Sequence, residues 1–198
     1  MYRRHAAGYD ATTRRTEPNR RRTIARLRLA AGDTVVDVAC GTGLSFPILV
    51  DAVGPFGRLI GIEQSPEMAA LARRRIEAAG WRNVLLIERA AEEAEIPAPI
   101  DAVLFHFAHD VLRSPLALEN VFRAARAGAR VAAAGMKYLP WWAAPANLYI
   151  LLKAYPYAAN LGGLGRPWTI LQERYAPDLQ VESVFWGGGF IAHGTYSR

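Results

Sequence analysis

Short apolar runs alternate with amphipathic ones along this chain, and the order in which they do so predicts its architecture. TVVDVA (34–39) is apolar at consecutive positions except for Asp37, the pattern of a strand covered on both faces. RLIGIE (58–63), VLLIER (84–89), DAVLFHF (101–107) and RVAAAGMK (130–137) repeat that pattern. Helical stretches fall between them. RTIARLRLAAG (22–32) has apolar positions at Ile24, Leu27 and Leu29 and a stop at Gly32. LSFPILVDAV (44–53) tolerates Pro47 because the proline falls in its first turn. Ser65 and Pro66 open a helix that Gly80 ends, and Ser114 and Pro115 open another predicted to run to Gly128. Strands alternating with helices of this length imply right-handed crossovers and a parallel sheet with helices on both faces. VESVFW (181–186) and FIAHGTYS (190–197) flank three glycines and predict a terminal hairpin. The expected fold is therefore α/β, a Rossmann-like doubly wound, mostly parallel sheet of seven strands with an antiparallel edge hairpin.

Residues 138 to 176 break this rhythm. They hold Trp141, Trp142 and Trp168, three of the five tryptophans, and read as an insertion between the fifth strand and the hairpin. The longest uncharged run, Leu139 to Leu152, is interrupted by Pro140 and Pro145 and is shorter than the roughly 20 residues of a spanning helix. With 198 residues, one domain is expected over 1–198, including an N-terminal segment over 1–31. Hydrophobic residues at 52% and charged residues at 21% give a globular composition. A single cysteine, Cys40, excludes an internal disulfide, and no apolar stretch follows the arginines of MYRRHAAGYD. These features predict a cytoplasmic protein. The net charge of +6 leaves nucleic acid, an anionic membrane face or a solvated basic surface open.

The chemistry starts at VVDVACGTGLSF (35–46). A glycine loop between the first strand and its helix is the ligand end of an open parallel sheet. In a dinucleotide fingerprint the third glycine after Gly41 and Gly43 allows close helix packing, but here that position is Phe46. Asp37 would also be an awkward neighbour for a pyrophosphate. For a ligand with an ammonium and a sulfonium it is attractive.

VVDVACGTG resembles motif I of the class I S-adenosylmethionine-dependent methyltransferases, and the later elements follow that family's order. Ala39 departs from the glycine usual there, although it remains small. The resemblance implies S-adenosylmethionine as cofactor, with Asp37, Ala39, Gly41 and Gly43 around its methionine part. Glu63, 22 residues after Gly41, stands at the spacing of an acid that accepts from ribose hydroxyls, with Gln64 beside it. RAAEEAEIP (89–97) resembles the family's adenine loop. Aligning Pro97 assigns the acid to Glu92, with Glu93 and Glu95 as alternatives.

In the resembled family the end of the fourth strand, here FHFAHD (105–110), borders the methyl group. Phe105 is expected at the cofactor, and His106 and His109 are candidate catalytic groups, since an imidazole exchanges a proton near neutral pH. A metal held by His106, His109 and Asp110 would demand a tight turn, and no second cluster completes a shell. His193 reads as structural. YRRHAAGYDATTRR (2–15) resembles the family's helical lid, with Tyr9 the leading aromatic beside Tyr2 and His5. Trp141, Trp142, Tyr149 and Tyr155 are the expected acceptor-binding residues, with Tyr157 and Trp168 behind them.

Lys137, Lys153 and Arg166 border this aromatic segment, so it also suits a membrane interface. Small bacterial phospholipid N-methyltransferases resemble the chain in size and layout. The expected partner is a small-molecule or lipid-like acceptor, with peripheral contact to the inner membrane face a second reading. A cofactor-binding protein without turnover is a third. The arginine clusters 14–15, 20–22 and 73–75 raise RNA or protein methylation, but FHFA lacks an Asn-Pro-Pro-aromatic tetrad for an extruded base. The oligomeric state is not encoded in any of these signals.

Overall fold

A computed structural model describes residues 16–97, 99–139 and 165–197. Within these residues the chain begins with helix α1 (Glu17–Arg26), followed by β1 (Thr34–Val38), α2 (Phe46–Val53), β2 (Arg58–Ile62), α3 (Pro66–Ala79) and β3 (Val84–Ile87). Then come β4 (Ile100–His106), the short α4 (His109–Leu112), α5 (Pro115–Arg123), β5 (Ala125–Met136), α6 (Thr169–Arg174), β6 (Gln180–Val184) and β7 (Gly189–Thr195). Ser65 and Ser114 cap α3 and α5 through their hydroxyls, which accept from the amides of Met68 and Ala117.

The seven strands form one sheet in the order β3-β2-β1-β4-β5-β7-β6. Pairing is parallel from β3 through β5, whereas β7 runs antiparallel to both β5 and β6. The terminal hairpin is thus present, with β6 outermost. The strands are shorter there than the sequence suggests, because a 3₁₀ turn at Phe185–Gly187 takes the end of VESVFW.

Two boundaries differ further. Helix α1 starts before residue 22 and stops at Arg26, and Arg28 has a left-handed φ of 45° that no helix accommodates. The helix opened by Ser114 stops at Arg123 rather than Gly128, and Ala125 already belongs to β5. An irregularity in the pairing of β4 with β5 between Ile100 and Ala102 absorbs the extra residues, with Gly128 at φ 80°.

Because the central strands are covered on both faces, alternate residues feed two cores. Val36, Val38, Ile60, Ile62, Val103 and Phe105 pack with α5 and α6, where Phe122, Leu171 and Trp168 lie. Val35, Leu59, Ala102 and Leu104 pack on the opposite face with Ile24 and Leu27 from the α1 side and Phe46 and Leu49 of α2. Asp37 of β1 and His106 of β4 share the parity of this second set. Both therefore lie on the face that α1 covers as it packs across β4, β5 and β7. No helix among the described residues is long and apolar enough to cross a membrane.

Candidate active site

The parallel strands β1, β2 and β4 end on one side of the sheet, and the loops that follow build a polar site there. Three successive bends open the loop after β1: Ala39, Gly41 and Gly43 have φ of 55°, 59° and 75°. Glu63, at the end of β2, holds this loop. Its Oε2 accepts from the Gly41 amide at 2.9 Å and its Oε1 from the Ser65 amide at 2.7 Å. Burial raises the Glu63 pKa, and the amides of Ser65, Gly41 and Gln64 oppose that rise by bonding the carboxylate.

The glycines have separate reasons. A Cβ at Gly41 would meet nothing within 4 Å, so the backbone there faces open space. A Cβ at Gly43 would stand 2.8 Å from the Phe46 ring, and one at Gly61 would stand 2.7 Å from the same ring. Phe46 thus fills the gap between loop and β2, the position where a dinucleotide fingerprint has its third glycine. The open side is at Gly41, with two acids near it.

Asp37 is 1% exposed, and its Oδ2 is buried without a hydrogen-bond partner. Burial pushes its pKa up to about 7; Arg20 and the Ser45 hydroxyl oppose that rise, while Glu63 adds to it. Arg20, on α1, is 4% exposed. Its Nη1 donates to Glu17 at 2.8 Å, and its Nε is buried with no partner. His106 closes the set from β4. Its Nε2 is buried and unpartnered, and burial, with Arg20 and His109 adding, pushes its pKa down to about 3. A neutral imidazole, a guanidinium and a carboxylate that titrates near neutral pH therefore meet on one face of the sheet.

Other expected residues lie differently. The Phe105 side chain is wholly buried in the core beside Phe122, so it does not line the site. His109 is a bracket rather than a free base. Its Nε2 accepts from the Met136 amide at 2.9 Å, and a Cβ on Gly135 would come within 2.5 Å of that nitrogen. Burial lowers its pKa despite the bonds with Met136 and Phe107. Glu92 is exposed and accepts from Ser114 Oγ at 2.6 Å, while Asn120 holds the same loop through the carbonyls of Ala91 and Ala94. Gln64 is exposed. Trp168 packs on Phe190 in the core, with ring centroids 4.8 Å apart. His193 pairs with Glu182 at 3.7 Å. Tyr9, Trp141, Trp142, Tyr149 and Tyr155 lie outside the described residues.

Arg20 escaped the sequence reading, which placed it in a basic cluster. A signal was present, because Arg20, Thr23, Ile24 and Leu27 fall on one helical face and all four are buried. Several other arginines among the described residues, within these clusters or beside them, have partners within the fold. Arg21 bonds Glu17, Arg22 and Arg26 both bond Glu182, Arg73 bonds Glu88, and Arg75 donates to the Thr42 carbonyl at 3.0 Å.

A methyltransferase domain family matches residues 35–128, which run from β1 into β5. The demethylmenaquinone methyltransferase of Symbiobacterium thermophilum is 27% identical, over 94% of this chain and 81% of that protein. That of Listeria welshimeri is 28% identical over 86% of this chain and 75% of its own. Among solved structures, a geranyl diphosphate C-methyltransferase from Streptomyces coelicolor, bound to S-adenosyl-L-homocysteine, superposes with a TM-score of 0.71. It shares 14% identity, over 92% of this chain and 79% of that one. A SAM-dependent methyltransferase from Aquifex aeolicus gives 0.63 at 20% identity and 89% coverage of both chains. With a methyltransferase domain from β1 into β5 and methyltransferase relatives along nearly its whole length, the chain is an S-adenosylmethionine-dependent methyltransferase with the class I, Rossmann-like fold.

Proposed function

We propose that this protein methylates a small apolar acceptor of the quinol type, with Asp37, the glycine loop and Glu63 holding the cofactor and His106 receiving a hydroxyl of the acceptor. The observation that carries the reading is His106, an uncharged imidazole whose Nε2 is buried and unmatched at the end of β4. The demethylmenaquinone methyltransferases at 27–28% identity favour a quinol ring as the class of acceptor.

The residues fit S-adenosylmethionine. Asp37 Oδ2 has unused acceptor capacity, and the space at Gly41 admits a ligand against the backbone. When bound, the cofactor supplies a methyl group already activated by its cationic sulfur. The protein's task is then alignment, which can account for several kcal/mol of a transfer barrier, about 7–11 at best. Glu63 keeps the loop in place and has acceptor capacity left for ribose hydroxyls. His106 Nε2 accepts a hydrogen bond from the acceptor's hydroxyl, which orients the ring and leaves electron density on it. With its pKa near 3, the imidazole holds that proton by a hydrogen bond and does not store it, so the proton that the acceptor releases as the methyl–sulfur bond breaks and the new methyl bond forms passes on to solvent. In this reading Tyr9 belongs to a lid, and Trp141, Trp142, Tyr149 and Tyr155 to the acceptor's walls.

Methyl-labelled cofactor distinguishes the acceptors. Incubated with a reduced, demethylated naphthoquinone, the purified protein should place label in the quinone fraction. Label entering phosphatidylethanolamine vesicles instead would make it a phospholipid N-methyltransferase acting at a membrane surface. Label in precipitated RNA or protein, with none in either lipid, would overturn the apolar acceptor.

A further inference from the structure

The turn between β6 and β7 exposes two aromatic rings. Trp186 is fully exposed, and Phe185 before it is 38% exposed. Both have a left-handed φ, 56° and 53°, which bulky residues rarely adopt, and Gly187 follows at 94°. The turn is nevertheless fixed. The Phe185 carbonyl accepts from the Gly188 amide at 3.0 Å, and the Gly188 carbonyl accepts from the Lys137 amide at 2.9 Å. A Cβ on Gly189 would stand 2.5 Å from the Phe185 ring, and one on Gly187 would stand 3.0 Å from Leu139. A costly backbone shape is thus held in place, and its result is an indole left wholly outside the fold.

The turn stands at the active-site end of the sheet. Ala134 pairs with His106 and Met136 with Gly189, so the turn begins two residues beyond His106, about 7 Å farther out along the strands. Phe56 is exposed too, but it precedes β2 at the opposite end. Charge sets the turn apart as well. Between Glu119 and Glu173 the sequence has no acidic residue, while Lys137, Lys153 and Arg166 fall in that interval. Glu182, three residues before Phe185, is already bonded by Arg22 and Arg26. Exposed aromatic rings among cations suit an interface in which the rings enter the headgroup boundary and the cations meet lipid phosphates. We infer that the β6–β7 turn docks on an anionic phospholipid surface, with Trp186 and Phe185 inserted and Lys137 at the headgroups. The mouth of the site then faces the bilayer, where an apolar acceptor dissolves. Docking stands on the turn itself; its use in turnover rests on the quinol acceptor proposed above.

Sedimentation with vesicles tests the docking. The protein should bind phosphatidylcholine vesicles containing about one-third phosphatidylglycerol, and pure phosphatidylcholine about 10-fold more weakly. Trp186→Asn, which keeps a residue suited to the left-handed bend, should weaken binding to the anionic vesicles about 10-fold, and Trp186→Phe should recover part of that. Lys137→Gln should cost about fivefold, an effect that high salt removes. Equal binding by the wild-type protein and Trp186→Asn would overturn the inference, as would equal binding to both vesicle types. A wild-type dimer that Trp186→Asn dissociates, with no vesicle binding, would make the turn a contact between two copies instead. Turnover separates docking from acceptor. With a tail-less, dissolved naphthoquinol, Trp186→Asn should keep the wild-type kcat/KM, whereas with a long-tailed quinol in anionic vesicles it should lose about 10-fold. An equal loss with both quinols would overturn the docking role. If neither quinol is methylated but Trp186-dependent binding persists, the quinol reading falls and docking stands. If the dissolved quinol is methylated and no vesicle is bound, docking falls and the quinol reading stands.

Discussion

Asp37 and Asp101 are buried carboxylates on neighbouring strands, β1 and β4, at opposite ends of the sheet, and the fold treats them in opposite ways. At the amino end Asp101, 8% exposed, accepts from the Thr34 amide at 2.7 Å and pairs with Arg126. Beside it Arg130 bonds Asp33 at 2.8 Å and donates to the carbonyls of Arg28 and Asp101. At the carboxyl end Asp37 has Ser45 for a partner, while its Oδ2 remains unmatched. Burial and residue type are the same, so neither distinguishes a structural acid from a binding one. A cationic partner on the second oxygen does: Arg126 stands on Asp101 Oδ1, whereas no ion pair reaches Asp37 Oδ2 among the described residues, and an acid kept for a cationic ligand must lack such a partner until the ligand arrives.

The largest effect expected from this contrast is on affinity. Asp37→Asn should weaken S-adenosylhomocysteine by about 100-fold or more, since a buried charge-assisted contact is lost. The same change should stabilise the ligand-free protein. Asp37 has its folded pKa raised from 3.8 to about 7, so its contribution to stability is complete below about pH 4 and is lost as the pH rises through 7. Asparagine has no charge to bury. At pH 8 the variant should gain about 1–3 kcal/mol in denaturant unfolding, and at pH 4.5 most of that gain should vanish. In the wild-type protein, S-adenosylhomocysteine should bind more tightly as the pH rises from 5.5 to 8, with proton release on binding below pH 7. An affinity independent of pH would show that Asp37 is already ionised before the ligand arrives.

Asp101→Ala should do the reverse. It leaves the Thr34 amide and Arg126 without their carboxylate, which should cost about 1–3 kcal/mol of stability, while cofactor affinity stays within about twofold. A large loss of affinity with intact folding would mean that the two ends of the sheet are coupled.

The strands of the parallel part were legible because the sheet is buried on both sides, which writes unbroken apolar runs into the sequence. Glu63 was legible for a similar reason: the end of a run fixes its place at the mouth of the site. The start of β5 was not, because ARAGAR (125–130) carries no apolar run and reads as a helix tail, whereas Gly128 lets the chain bulge back into the sheet. Nor does the sequence separate His106 from His109. Both stand in FHFAHD, and only the fold brings the Met136 amide onto one of them. Phe105 was within reach of the alternation rule, since it shares the parity of Val103 and the α5 core. Arg20 was within reach too, once its helical face is counted rather than its charge.

His106 and the loop residue Ala39 give smaller effects. His106→Ala should slow transfer about 10-fold and leave S-adenosylhomocysteine affinity unchanged. In the wild-type protein, kcat at saturating cofactor should show no limb between pH 5.5 and 7 from this imidazole, whose pKa lies near 3. A limb near 6.5 that disappears in His106→Ala would make it a titrating base. The same low pKa means that His106 contributes stability above its usual value of 6.5 that is lost as the pH falls towards 3, opposite in direction to Asp37.

The smallest effect concerns the strain carried at the strand ends. Ala39 follows β1 at φ 55° and Phe107 follows β4 at φ 62°, so two adjacent strands both end in a left-handed residue beside the site. An alanine in that conformation costs about 1–2 kcal/mol, which glycine does not incur, but glycine gives up about 0.5–1 kcal/mol through the freedom of its unfolded chain. Ala39→Gly should therefore leave stability within about 1 kcal/mol of wild type or raise it slightly. Ala132→Gly, in the fully buried interior of β5, lacks the compensating relief and should cost about 1 kcal/mol. Unfolding midpoints of the two variants measure the difference directly. If Ala39→Gly is as destabilising as Ala132→Gly, the bend after β1 is not strained, and the methyl group of Ala39 makes a packing contribution.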